Sequence, residues 1–217
     1  MPKVLTQLSQ AELAHVTSRT VAYYDRRAPA FWEGTKDHDV SQNIEALLRH
    51  IEQPAPLRIL DVGCGPGRDL KAFRALGHTP TGLDAAEAFV AMARAHAACE
   101  VWHQDLLALD LPAKHFDGVF ANAVLFHVPS QELSRVLRDL RSTLKPGGVL
   151  FCSNPRGPDI EDGASGRDSE RYGCFLTLPT WREFITDAGF QELEHYYRPE
   201  GKPLSEQPWL ATVWRAL

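Results

Sequence analysis

Residues 57–70, LRILDVGCGPGRDL, decide how the rest of the chain is read. Leu57, Ile59, Leu60 and Val62 form a short apolar run of the kind that makes a buried strand. The run breaks into Gly63, Gly65 and Gly67 before helix-forming residues resume. Glycines in such a turn permit positive φ, and without a Cβ they let backbone N–H groups approach a ligand closely. Strand, glycine turn and helix together make the entry to a nucleotide-type site.

The alternation continues downstream. Leu70, Phe73 and Leu76 mark a helix that stops at Gly77, and 79–84 reads as a strand ending on Asp84. An alanine-rich helix over 85–97, a strand over 100–103, a strand over 116–121 and a helix over 130–144 follow. Pro146-Gly147-Gly148 predicts a tight turn into a strand over 149–152. Residues 154–174 are rich in glycine, proline and charge and predict a long loop. Thr180 and Glu183 have capping-box spacing for a helix ending at Gly189, and strands are expected near 191–197 and 209–215. Strands with helices between them build a parallel sheet, whereas the last two, with no helix between them, pair antiparallel. The expected class is α/β: a doubly wound, mostly parallel, seven-stranded Rossmann-like sheet with an antiparallel C-terminal edge pair and a helical N-terminal extension.

Upstream, Ser9 and Glu12 have capping-box spacing, and Leu13, Val16, Thr20 and Tyr24 predict an amphipathic helix over 9–24. Residues 23–43 place Tyr23, Tyr24, Phe31 and Trp32 among charged side chains, which predicts a flap packed on the core or closing over a ligand. A helix from Ser41 carries Ile44, Leu47, Leu48 and Ile51 until Pro54 and Pro56 stop it. One domain over 1–217 is expected, with 1–54 as a helical lid and 55–217 as the core.

The net charge of −5 argues against a nucleic-acid groove. Cys64, Cys99, Cys152 and Cys174 lack metal-ligand or redox-pair spacing, so they read as free thiols, and no metal is expected. Nothing resembles a signal peptide or a membrane span, so a cytoplasmic protein is expected, with neither nucleic acid nor membrane as partner.

At the strand ends, Asp84 can accept from both hydroxyls of a ribose, and Asp105 from an adenine amino group with Leu106 beside the ring. Asn122 falls where an acceptor meets a cofactor. A dinucleotide site asks for G-x-G-x-x-G, but here Gly63-Cys64-Gly65-Pro66-Gly67 is followed by Arg68. With Asp61 before it and Lys145-Pro146-Gly147-Gly148 before the fifth strand, the turn resembles that of class I S-adenosylmethionine-dependent methyltransferases. The resemblance implies S-adenosylmethionine as cofactor. It puts the backbone of Gly63, Cys64, Gly65 and Gly67 along the methionyl part, Asp84 and Ala85 at the ribose, and Gln104, Asp105 and Leu106 at the adenine. Asp61 reads either as support for the loop and the cofactor's amino group or as a turn cap. Asn122-Ala123-Val124 also differs from the Asn-Pro-Pro-Tyr of enzymes that methylate nucleic-acid amino groups.

Further stretches, YYDRRAPAFWEGTKDHDVSQNIEALLRHI, FANAVLFHVPSQEL, SNPRG, RYG and HYYRPEGKP with QPWLATVWR, resemble the methyltransferase domain of ovothiol biosynthesis. The chain departs from that pattern around 157–170, where it carries more charge. The resemblance implies N-methylation of 5-thiohistidine at the imidazole π nitrogen, by a stand-alone domain acting after a separate iron-dependent sulfoxide synthase. A positioned base then serves the acceptor, for which His38, Asp39, Asn122 and His127 are the catalytic candidates. Tyr24 and Trp32 would close over the cofactor. Gln42, Asn43, Phe126, Arg156, Arg171, Tyr172, Tyr197 and Arg198 are the substrate-binding candidates, the arginines for a carboxylate. His38 and Asp39 also read as caps of the helix from Ser41, and His127 as a packing residue. The alternatives are a methyltransferase for another small amine, thiol or carboxylate metabolite, or a non-catalytic cofactor-binding domain.

Overall fold

The computed structural model describes residues 2–163 and 170–217. In chain order the elements are α1 (Gln10–Thr35), α2 (Ser41–Leu48), β1 (Arg58–Val62), α3 (Arg68–Ala75), β2 (Thr79–Asp84), α4 (Glu87–Ala97), β3 (Val101–His103) and β4 (Phe116–Asn122). They continue with α5 (Ser130–Thr143), β5 (Leu144–Pro155), β6 (Ile160–Asp162), β7 (Gly173–Phe175), α6 (Leu178–Asp187), β8 (Phe190–Arg198) and β9 (Trp209–Ala216). The main sheet has seven strands in the order β3-β2-β1-β4-β5-β9-β8. β1 to β5 pair parallel, and β9 inserts antiparallel to both β5 and β8. This is a Rossmann-like fold with a helical N-terminal region.

Strand alternation explains the two-sided core. Leu60, Val119, Leu150 and Trp214 join the cluster under α5 and α6 with Val136, Leu140 and Phe184. Their neighbours Ile59, Phe120, Phe151 and Val213 face the other way and join Ile44 and Leu47 of α2 and Phe73 of α3. Both faces are thus covered by helices, and the carboxyl edge of the parallel strands stays open to a ligand.

Four local expectations need correction. The flap expected from residue 23 is helical to Thr35, because α1 runs through Pro29. A proline inside a helix lacks an N–H and costs about 3 kcal/mol. Packing compensates: Ala28 is buried against Ala86 and Phe89, with Tyr24 and Phe31 beside them. The run 145–148 belongs to β5 rather than to a separate turn, but the register against β4 jumps there, from Phe116↔Leu144 to Gly118↔Val149. Lys145 Nζ meets Asp117 Oδ1 at 2.6 Å and clamps the jump. Within 154–174, expected as a loop, β6 pairs antiparallel with β7, while residues 164–169 lie outside the described residues. Finally, α6 is capped by Thr177, not Thr180: the Thr177 hydroxyl accepts from the Thr180 N–H, and Asp159 accepts from both hydroxyls.

Candidate active site

The site is built on the glycine turn. Gly63 N–H and Cys64 N–H both donate to the Leu83 carbonyl, at 2.7 and 3.0 Å, which ties the turn to the end of β2. Gly63 has φ +66, and a Cβ there would lie 2.3 Å from Val124 Cγ2 in the segment after β4. Gly67 has φ +93, and a Cβ there would lie 2.8 Å from the Ala93 Cα, so α3 and α4 close up only over glycine. Asp84 ends β2 with both oxygens occupied by backbone donors: Gly65 N–H at 2.9 Å on Oδ2 and Ala86 N–H at 2.9 Å on Oδ1. Burial raises its pKa to about 6 against those hydrogen bonds, which lower it.

Beneath the turn, Asp61 is 2% exposed, and its Oδ2 has no hydrogen-bond partner. Burial pushes its carboxyl well above the usual range, Asp69 raises it further, and Arg68 opposes both. Asp69 is gripped by Arg68 through Nε at 2.6 Å and Nη2 at 3.0 Å. From there a polar chain crosses the sheet edge. Asn122 Nδ2 donates to Asp69 at 3.3 Å, Asn43 Nδ2 donates to Asn122 Oδ1 at 3.0 Å, and Tyr196 donates to Asn43 Oδ1 at 2.9 Å. Arg68 also donates to the Thr35 carbonyl at 2.9 Å and so anchors the end of α1 beside the turn. Sequence reasoning missed Arg68, Asp69, Thr35 and Tyr196. The signal for the first two was only their place directly after the last glycine.

Along the β2–β3 edge an open cleft of about 810 Å3 runs under α1, lined by Ala85, Gln104, Asp105 and Leu107 below and Val21 and Asp25 above. Gln104 is braced by two hydrogen bonds with the Asp110 backbone, at 2.9 and 3.1 Å. Asp105 Oδ1 accepts the Leu107 N–H at 2.8 Å and sets the short helical turn that carries the half-buried Leu106. Ala85 presents its carbonyl to His103 Nε2 at 2.9 Å.

On α1, Tyr24 meets His127 Nε2 at 2.8 Å, His127 Nδ1 meets the Tyr172 carbonyl at 2.6 Å, and Arg171 Nη1 donates to the Tyr24 hydroxyl at 2.8 Å. Burial lowers the His127 pKa to about 4, so the ring is neutral near pH 7. Phe126 packs on His127, with ring centroids 3.9 Å apart.

Several expected site residues are engaged elsewhere. Trp32 stacks on His96, at 4.4 Å between centroids. Asp39 accepts the Ser41 N–H at 2.9 Å at the entry to α2, which holds its carboxyl below the usual range, the reverse of a raised-pKa base. His38 is exposed in the turn between α1 and α2. The Tyr172 ring is 1% exposed in the main core, so it offers no surface to a substrate. Arg156 donates to the Gln207 and Leu204 carbonyls and lies over the Tyr197 ring, and Arg198 donates to the Asp39 carbonyl at 3.0 Å. Gln42 Nε2 lies 3.5 Å from Glu200. Gln42, Arg156, Tyr197 and Arg198 brace the β8–β9 connection and α2, whereas Asn43, Asn122 and His127 do stand at the sheet edge. Cys64, Cys152 and Cys174 are buried free thiols, and Cys99 is half-buried and free. Among the described residues no acidic, histidine and cysteine side chains cluster as metal ligands, and no helix is long and apolar enough to cross a membrane.

Residues 59–148 match a family model described as a methyltransferase domain. The malonyl-[acyl-carrier protein] O-methyltransferase of Erwinia pyrifoliae is 37% identical over 140 residues, covering 62% of this chain and 53% of that protein. The ubiquinone biosynthesis O-methyltransferase of Dinoroseobacter shibae is 36% identical over 148 residues, covering 64% of this chain and 59% of that protein. The chain thus spans a little over half the length of these relatives. Among solved structures, the 1,6-didemethyltoxoflavin-N1-methyltransferase of Burkholderia thailandensis, with bound 1,6-didemethyltoxoflavin and S-adenosylhomocysteine, superposes with TM-score 0.74 at 19% identity. That likeness, over 99% of this chain and 93% of the other, is one of fold.

Proposed function

We propose that the chain, whose residues 59–148 match a methyltransferase-domain model, transfers a methyl group from S-adenosylmethionine to a ring nitrogen of a small metabolite. The observation that carries the reading is the orphaned Asp61 Oδ2, buried below a turn whose glycines carry no Cβ and whose neighbour Asp84 is held at the strand end. A buried carboxylate oxygen without a donor is costly unless a ligand supplies one. The cofactor's amino group is such a donor, directly or through water. The backbone of Gly63, Cys64, Gly65 and Gly67 then lies along the methionyl part, Asp84 and Ala85 hold the ribose, and the cleft by Gln104, Asp105 and Leu106 takes the adenine. Residues 1–54 serve as the lid over a core of 55–217, with α1 roofing the cleft.

The bound cofactor supplies an already activated methyl, so the protein's task is alignment and exclusion of water. The Tyr24, Phe31 and Phe89 cluster gives an apolar wall for that purpose. For the acceptor we propose 5-thiohistidine, methylated at the π nitrogen downstream of a separate sulfoxide synthase; the peripheral stretches quoted above support it, and the neutral His127 beside Tyr24 is compatible with an azole. A second reading, methylation of another small amine, thiol or carboxylate, is favoured by the curated relatives, both of which are O-methyltransferases. A panel of acceptors with methyl-labelled S-adenosylmethionine tests both: label on 5-thiohistidine supports the first, and label on another acceptor alone replaces it with the second.

A further inference from the structure

We infer that Tyr24 accepts a hydrogen bond from an N–H of the methyl acceptor and so selects its tautomer, a step that rests on the methyl-transfer reading above. The polarity of the chain Arg171–Tyr24–His127–Tyr172 follows from its ends. A carbonyl oxygen only accepts, so His127 Nδ1, 2.6 Å from the Tyr172 carbonyl, carries the hydrogen. On a neutral ring Nε2 then has the lone pair, and the Tyr24 hydroxyl 2.8 Å away donates to it. A guanidinium only donates, so Arg171 Nη1 at 2.8 Å takes one lone pair of the phenol oxygen. One lone pair remains. Towards the site, Tyr24 is therefore an acceptor and never a donor.

Its place suits that task. The Phe31 edge that would lie 3.9 Å from a Cβ on Gly65 packs against the Tyr24 ring, with centroids 5.7 Å apart. His127 lies three residues beyond Val124, which covers Gly63. The phenol thus sits between Phe31, which approaches Gly65, and His127, which follows the segment that covers Gly63. An azole has one N–H and one bare nitrogen. Giving the N–H to Tyr24 leaves the lone pair on the other nitrogen, the one that attacks. The groups facing Tyr24 are Arg171, Tyr23, Asp84 and His127; those facing His127 are Tyr24, Arg171 and the Tyr172 carbonyl. Burial keeps Tyr24 protonated and His127 neutral, so the polarity holds across neutral and mildly basic pH. Tyr24 is then an acceptor-binding residue, in place of the cofactor contact expected from sequence, and His127 a positioning residue.

The test uses the full chain saturated with S-adenosylhomocysteine, titrated with imidazole and with N-methylimidazole, which lacks the N–H, at about pH 8, where both probes are neutral. Wild type binds imidazole about tenfold more tightly, the value of one hydrogen bond in an enclosed site. Tyr24→Phe binds the two probes alike. His127→Leu, which frees the phenol hydrogen to point into the site, narrows the preference while leaving the phenol in place. Equal binding by wild type, or a preference undiminished in Tyr24→Phe, overturns the inference. Turnover separates the two levels: a chain that shows the preference but methylates no acceptor refutes the proposed function and not the polarity of Tyr24. A chain that methylates 5-thiohistidine with the same π selectivity in wild type and Tyr24→Phe refutes the tautomer role and not the function.

Discussion

Asparagine at position 84 separates two demands made on one side chain. Raising the Asp84 pKa from 3.8 to about 6 means that its ionised form is disfavoured in the folded chain by about 3 kcal/mol, at 1.4 kcal/mol per tenfold. The folded value lies above the unfolded one, so this group's contribution to stability is fully present below pH 3.8 and is lost as pH rises through about 6. Neutral asparagine removes that dependence. It does not come free, because both oxygens accept from backbone N–H groups, of Gly65 and Ala86, and an amide must turn its NH2 towards one of them. One unsatisfied donor costs about 1–3 kcal/mol. The two terms nearly cancel, and Asp84→Asn is expected to unfold within about 1 kcal/mol of wild type at pH 7.5 by urea titration. Cofactor binding has no such compensation. Two hydroxyl donors prefer a carboxylate, and a hydrogen bond to a charged group is worth about 1.5–3 kcal/mol, so affinity for S-adenosylhomocysteine falls roughly 10- to 100-fold by calorimetry. In wild type the same affinity weakens as pH falls through about 6 and Asp84 takes a proton, and that break is absent in the variant. A variant that binds within a factor of about three of wild type, with the break near pH 6 still present, refutes the ribose role.

Three further outcomes follow from the geometry. Gly67→Ala forces a Cβ to within 2.8 Å of the Ala93 backbone at φ +93, so it destabilises by about 3 kcal/mol or more in a denaturant titration; a loss below about 1 kcal/mol would contradict the packing of α3 on α4. Asn43→Ala leaves Asn122 Oδ1 without its donor and the Tyr196 hydroxyl with only the Gln42 carbonyl, 3.4 Å away, and costs about 1–3 kcal/mol, whereas Tyr196→Phe costs about 1; a double-mutant cycle showing full additivity would mean that the two do not share a network. Arg156→Ala removes two hydrogen bonds to the 204–207 segment, lowering stability by about 1 kcal/mol and leaving the KM for the methyl acceptor unchanged. A large rise in KM would instead return Arg156 to the substrate.

The parts of the fold that could be read in the sequence are those where a single periodicity or a single turn residue decides the outcome. From Leu57 to Cys152, strand runs, glycine stops and strand-end carboxylates follow one another at short range, and the sheet order obeys them. The length of α1 is not legible locally, because Pro29 is a strong local breaker whose cost inside the helix is offset by packing of Ala28 against Phe89 and Ala86, some sixty residues away in sequence. The site was legible in the same uneven way. Asn43 and Asn122 were marked separately as polar residues in suggestive places, but nothing local says that they bond to each other or that Arg68 and Asp69 complete the chain. Tyr172 looked like a ligand residue because it follows Arg171 in an irregular segment, yet its ring fills the core while its carbonyl orients His127. The arginines show a general limit. Their value for a carboxylate is a matter of what else they hold, and Arg156 and Arg198 already hold backbone carbonyls.

On the proposed reading, the glycine turn over Asp61 and Asp84 delivers a methyl group to a small azole. Incubating the purified chain with methyl-labelled S-adenosylmethionine and 5-thiohistidine, and following the products by mass spectrometry and NMR, tests it most directly. One labelled methyl on the π nitrogen is expected, with an equal yield of S-adenosylhomocysteine. Tight binding of S-adenosylhomocysteine with no label on 5-thiohistidine or on any member of an amine, thiol and carboxylate panel would contradict it and leave a cofactor-binding domain without transfer.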